Sequence, residues 1–275
     1  MHICFLDGQY PHQDGTGGGG AGWYIKMIGA HHIKNGNDVT VLKVTPNHHK
    51  NNYIDSNGVQ IIHYKTSSPF LYYFSKTPLL KVFTRFLADL HISWIGYKYI
   101  VKQNSIKKID ILEVVDGGNF WLSLFNKFKY VEHLHCSQYT IKKQCGLKVQ
   151  MKYILERRLS FLSLSRAAVV ISPSNAMLSI VEKERNKLLP RKKMIPLCVE
   201  KNIHTAIKSN EKIRFIFASR NDPLKGGDTL YRAIKIVNKK IYDKVEFNII
   251  GYSPNSKSIL PENVIIKSLY RDLNY

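Results

Sequence analysis

The chain has 275 residues, 44% of them hydrophobic, and 41 Lys+Arg against 20 Asp+Glu leave a formal net charge of +21. That length suggests roughly two domains with enough apolar content for a core in each, which excludes a disordered or fibrous chain. The charge favours polyanions such as an anionic membrane face, nucleic acid or phosphorylated substrates; the lysines are scattered through α/β segments rather than gathered on a nucleic-acid module, so no nucleic-acid partner is expected.

"MHICFLD" predicts a short buried strand over residues 3–6 and "DVTVLKV" a second over 38–44. Between them Trp23, Met27, Ile28 and Ile33 recur near helical spacing, and Gly36 closes the run. The first strand and this helix are joined by a loop holding four consecutive glycines, Gly17, Gly18, Gly19 and Gly20. A loop at a strand's carboxyl end that opens a helix brings backbone amides toward a bound phosphate or sugar, and glycines allow close approach. The alternative is a solvated surface loop. The spacing matches neither a P-loop, which needs Lys-Ser/Thr after the last glycine, nor a G-x-G-x-x-G fingerprint.

Further along, "GVQIIHYK" (58–65) predicts a strand and residues 79–104 a long helix. The most membrane-like stretch, 79–101, is interrupted by Lys81, Arg85, Asp89 and Lys98. It is too charged to span, and its mixture of aromatic and basic residues suits either a headgroup surface or packing on a sheet. "IDILEVVD" (109–116) and "KYVEHLHCS" (129–137) predict strands, 147–167 a helix, "AAVVISPS" (167–174) a strand, and 175–185 a helix. Strands alternate with helices throughout, which predicts a parallel, doubly wound sheet covered on both faces.

Pro190, Pro196 and clustered lysines mark a change of pattern. We place an N-terminal domain over 1–196, a linker over 197–211 and a second strand-loop-helix series over 212–275, with strands at 213–220, 245–251 and 263–269. So short a series, ending on a fresh strand, predicts an incomplete doubly wound unit. Cys4, Cys136, Cys145 and Cys198 form no C-x-x-C pair, and Cys4 and Cys198 fall in expected buried strands. No basic leader with a cleavage site precedes the first strand, so a reducing, cytoplasmic setting is expected.

The segment "FASRNDPLKGGDTLYRAI" (217–234) is the most specific in the chain. It resembles the C-domain signature of family 4 glycosyltransferases of the GT-B fold, with Ser219-Arg220, Pro223, Lys225-Gly226 and Asp228-Thr229-Leu230 at the matching positions. The glycine loop, "HLHCS", "VVISPSNAM", "IPLCVE" and "EFNIIGYSP" follow the family's order. The resemblance implies a retaining transferase that moves a sugar from a nucleotide-sugar donor to a cell-surface glycan or lipid-linked acceptor, and the +21 charge with the aromatic, basic stretch 79–101 adds the expectation of a peripheral place at the inner face of a membrane. Arg220 and Lys225 would bind the donor diphosphate without an obligatory metal or other cofactor, assisted by the loop of Gly17 to Gly20. Fixed cations suit that task because negative charge grows on the leaving group as the sugar–phosphate bond breaks.

His133 and His135 stand at i and i+2, on one face of a strand, but no third ligand at sensible spacing accompanies them and no metal site is expected. The resemblance implies instead that His135 reaches the transferred sugar. Glu113 and Asp116 are either polar contacts to the acceptor or the start of an Asp-Gly-Gly loop. Two departures from the family stand out: the linker reads Pro196-Leu197-Cys198-Val199 instead of Pro-Asn-Gly-Val, and the later glutamate pair that would hold sugar and ribose has no counterpart. A non-catalytic module that binds a nucleoside diphosphate or a protein partner is the alternative reading.

Overall fold

A computed structural model describes residues 1–14, 18–45, 52–66, 81–117, 119–198, 213–219, 225–241, 244–251 and 264–267. The chain divides into two compact units, Met1–Glu200 and Lys201–Tyr275.

In the first unit the elements run β1 (His2–Asp7), α1 (Gly20–Lys34), β2 (Asp38–Thr45), β3 (Tyr53–Ile54), β4 (Gln60–Lys65), α2 (Lys81–Ile106), β5 (Ile111–Val115) and α3 (Phe120–Phe125). They continue with β6 (Tyr130–His133), α4 (Gln138–Gln144), α5 (Met151–Arg166), β7 (Val169–Ser172), α6 (Asn175–Arg185) and β8 (Lys192–Met194). Among the described residues eight strands form one sheet in the order β3-β4-β2-β1-β5-β6-β7-β8. Every pairing is parallel except that of the two-residue edge strand β3 with β4. Strand order reverses between β1 and β5, where an open α/β sheet leaves a crevice at its carboxyl ends.

Alternation along the strands divides the core between the two faces. Ile3, Phe5, Val39, Val41 and Ile61 pack with Ile25 of α1. Cys4, Leu42, Leu112, Val114 and Val170 face the other way, against residues of α2, α3, α5 and α6 such as Ile100, Leu122, Leu164 and Leu178. Residues 81–101 therefore belong to a helix laid on the sheet, with Tyr97 and Ile100 buried, and residues 79 and 80 lie outside the described residues. Among the described residues no helix is long and apolar enough to cross a membrane.

The second unit holds β9 (Ile213–Ala218), α7 (Gly227–Ile241), β10 (Val245–Ile250) and β11 (Val264–Lys267), with its three parallel strands ordered β11-β10-β9. Ile234 of α7 packs on Val245, Phe247 and Ile249. Among the described residues this unit is a three-stranded parallel sheet with one helix packed on it.

Some expectations need correction. Cys198 is exposed and lies outside any strand, whereas Cys4 is buried in β1 as expected. β6 stops at His133, four residues short of the expected end, because the chain turns there into α4. That helix is capped by the Ser137 side chain, which accepts from the Thr140 amide. Its seven residues are too few to show a periodic pattern.

Candidate functional site

The candidate site is assembled at the carboxyl ends of β1, β5 and β6. After β1 the loop is pinned from two sides. Buried Lys43 of β2 donates to the carbonyls of Tyr10 and Pro11, and the Tyr10 hydroxyl donates to Asp55 at 2.6 Å. Asp7, at the end of β1, has its carboxyl raised above the usual range by burial, opposed by the amides of Gln9, Tyr10 and Gly8 and by Lys43.

The loop then meets α1 backbone to backbone. Gly18 has φ +81°, a left-handed conformation that favours glycine. A Cβ on Gly22, inside the helix, would stand 1.8 Å from the Gln9 carbonyl oxygen. A Cβ on Gly19 would stand 2.0 Å from the Gln9 side-chain oxygen, whereas on Gly20 it would meet nothing within 4 Å. So the glycines at 18 and 22 are required by the chain's own loop, that at 19 is crowded only by the movable end of the Gln9 side chain, and within the run Gly20 is the described one whose bare Cα faces open space. Gly19 caps α1 without a side-chain hydrogen bond. Gly17 lies outside the described residues.

Strand register then brings the polar groups together. Val115 of β5 pairs with His133 of β6, so Glu113, two residues earlier, shares a sheet face with His133, the face covered by α1. His133 Nδ1 and Glu113 Oε1 are 3.2 Å apart. Tyr24 of α1 also bonds Glu113, and its hydroxyl is held protonated by burial and by that carboxylate. The Tyr24 ring stands edge-on to His133, with centroids 4.6 Å apart. His135 lies beyond the end of β6, yet its ring stacks on His133 at 4.5 Å.

Asp116 explains that placement. Its carboxylate accepts from the His135 amide at 3.1 Å and from the Cys136 amide, while burial raises its pKa. Cys136 has φ 142°, a costly conformation for a residue with a side chain. Two amides converging on one carboxylate hold the turn there. Asp116 thus positions His135, and Glu113 positions His133.

The His135 imidazole is pushed down to about 4, by burial first and by neighbouring His133 second, so it is neutral at physiological pH. Its Nε2 and that of His133 are buried, and neither has a hydrogen-bond partner among the described residues. Such nitrogens can take or give a hydrogen bond to a ligand hydroxyl. Among the described residues no group of three His, Cys, Asp or Glu side chains could hold a metal ion.

On the opposite face, the pattern of the sequence did not single out Glu132. It is fully buried, accepts a 2.6 Å bond from the Ser163 hydroxyl, and has its carboxyl pushed up to about 8 by burial. A single Glu in an apolar strand was the available signal. In the second unit Lys225 is exposed in the turn before α7, next to Gly226 at φ +73°. Arg220 lies outside the described residues.

No protein-family model matches the chain, and no curated protein does. Solved structures do. Sucrose-phosphate synthase from Thermosynechococcus elongatus superposes with TM-score 0.62 at 15% identity, over 94% of this chain and 64% of that one. A trehalose-phosphate synthase (UDP-forming) from Burkholderia xenovorans in complex with glucose-6-phosphate gives 0.60 at 12% identity, over 93% and 67%. Arabidopsis thaliana UGT89C1 complexed with UDP-L-rhamnose gives 0.52 at 12% identity, over 98% and 69%. At these identities the likeness establishes the fold: an α/β architecture of the GT-B type with an incomplete second domain. The chain spans less than two thirds of the length of the sucrose-phosphate synthase.

Proposed function

We propose that the chain is a glycosyltransferase of the retaining, family 4 type, which takes a sugar from a nucleotide-sugar donor and passes it to a cell-surface glycan or lipid-linked acceptor. The observation that carries this reading is the pair of buried, unpartnered Nε2 atoms of His133 and His135 at the strand-order reversal of a GT-B-type domain. A sugar presents hydroxyls that can satisfy both. Two of the similar structures are of a UDP-forming synthase and of a protein holding UDP-L-rhamnose, which supports a nucleotide-sugar donor here.

In this reading Arg220 and Lys225 of the second unit neutralise the charge that develops on the departing diphosphate. Amides at the start of α1, beside Gly18, Gly19 and Gly20, add to that stabilisation. Neutral His135 orients the sugar by hydrogen bonding, and the acceptor hydroxyl attacks on the face that the diphosphate leaves. The bond from sugar to diphosphate breaks, that to the acceptor oxygen forms, and the acceptor's proton goes to the departing phosphate. Asp116 and Glu113 keep the two imidazoles in place on the acceptor side.

Calorimetric titration with nucleoside diphosphates and with the corresponding nucleosides tests the donor site. Diphosphates should bind more tightly, and Arg220→Ala should reduce that preference by ~1.5–3 kcal/mol, the range for a hydrogen bond to a charged group. Equal affinity for nucleoside and diphosphate in the unmutated chain would refute the reading and favour a module bound to a protein partner.

A further inference from the structure

At the other end of the first unit's sheet lies a second feature. Lys127 and Lys129 precede β6, Arg166 ends α5 just before β7, and Arg191 precedes β8. All four are exposed, and all line one cleft of about 460 Å³ at the amino ends of these strands. No acidic side chain lines it. The cleft continues into an apolar surface. Arg166 Nη1 donates to the carbonyls of Ser123 (2.7 Å) and Leu124 (3.3 Å), tying the basic wall to the end of α3. There Leu124 and Phe125 are 43% and 42% exposed, next to Trp94 of α2 at 37%. Trp94, Trp121 and Phe125 form one aromatic cluster, with centroids 5.2–6.0 Å apart.

We propose that this pole of the first unit, the Lys127/Lys129/Arg166/Arg191 cleft with its Trp94–Leu124–Phe125 rim, is a docking surface for an anionic lipid membrane. Charge complementarity selects the partner's sign: four cations without a lining acid, on a chain of net charge +21, attract a surface of phosphate headgroups. The rim selects a bilayer over a soluble anion, because tryptophan and phenylalanine settle at the boundary between headgroups and acyl chains. It also disfavours nucleic acid, since these rings are spent on one another in a packed cluster instead of standing apart as stacking platforms for bases. The contact lies away from His133 and His135, by at least the length of β6, roughly 13 Å for four residues. The candidate site thus lies at the opposite ends of these strands from the docked surface.

The test uses the full chain and vesicle flotation, with phosphatidylcholine alone and with phosphatidylcholine mixed with phosphatidylglycerol. Binding should require phosphatidylglycerol and fall with salt. Lys127→Glu/Lys129→Glu should lower it by on the order of 25-fold or more, at about fivefold per cation. Lys143→Glu/Lys148→Glu changes the net charge equally at another place and should retain most of the binding. Tryptophan quenching by brominated lipid, read in a Trp23→Phe background so that only Trp94 and Trp121 report, needs no change at the surface itself. Strong quenching supports the proposal. Equal losses in the two double variants, absence of quenching, or capture of single-stranded RNA through Lys127 and Lys129 without vesicle binding would each overturn it.

Discussion

His135 lies stacked on His133 with ring centroids 4.5 Å apart and planes 29° apart. Burial and that neighbour push its pKa down to about 4 from an ordinary 6.5. Between these values the unfolded chain binds a proton that the folded chain refuses. The contribution to stability is therefore complete above about pH 6.5 and lost as pH falls through 4. Imidazole NMR should show His135 titrating near 4, and His135→Gln should flatten the acid limb of the unfolding curve. A His135 resonance that titrates at an ordinary value would contradict the geometry.

Glu132 predicts the reverse slope. Its carboxyl is pushed up to about 8, chiefly by burial, so the folded chain holds a proton that the unfolded chain has released. The stability it contributes is complete below the ordinary glutamate range and is lost as pH rises through about 8. Glu132→Gln keeps a partner for Ser163 and removes the charge. Above about pH 8 it should stabilise the first unit, on the order of 1–3 kcal/mol, measured by urea unfolding.

The glycine loop separates into positions with opposite expectations. Gly22→Ala forces a Cβ to within 1.8 Å of the Gln9 carbonyl oxygen, a backbone atom that cannot swing aside. It should cost ~1–3 kcal/mol or more, as overpacking does. Gly20→Ala meets open space at the first residue of α1. It should be neutral or stabilise by ~0.4–1 kcal/mol through the unfolded state. If Gly20 also faces the donor, that same change should weaken nucleoside diphosphate binding while leaving stability intact.

Arg157 and Glu184 form an ion pair at 2.8 Å with both side chains 2% exposed, and Thr140 donates to the same carboxylate at 2.9 Å. Arg157→Ala leaves a buried carboxylate without its cation and should cost ~3–5 kcal/mol, whereas the double change Arg157→Met/Glu184→Leu should recover most of that loss. Thermal unfolding of the two variants distinguishes the ion pair from simple packing.

Much of the sheet was legible because fully buried parallel strands are continuous apolar runs. "ICFL" and "ILEVV" could hardly be anything else, and 175–185 matches its helix to the residue. The ends were less legible. β3, β8 and α4 are two, three and seven residues long, too short for a period to emerge, and they exist because neighbouring strands and caps supply their hydrogen bonds. Cys198 looked like a core residue by its apolar neighbours, but the chain there runs over the surface.

By itself, then, the sequence determined the alternation of strands and helices and which residue types stood at loop positions after β1, β5 and β6. Those are properties of local pattern. Tertiary structure alone decided what these residues do to one another. The parallel register of β5 and β6 puts Glu113 on the face of His133, and the Asp116 carboxylate draws two amides into a turn that lays His135 on its neighbour. Burial then removes its proton. Residues 22 and 9, or 24 and 113, are far apart in the chain and carry no mark of their contact, because close approach and desolvation are set by what packs around a group.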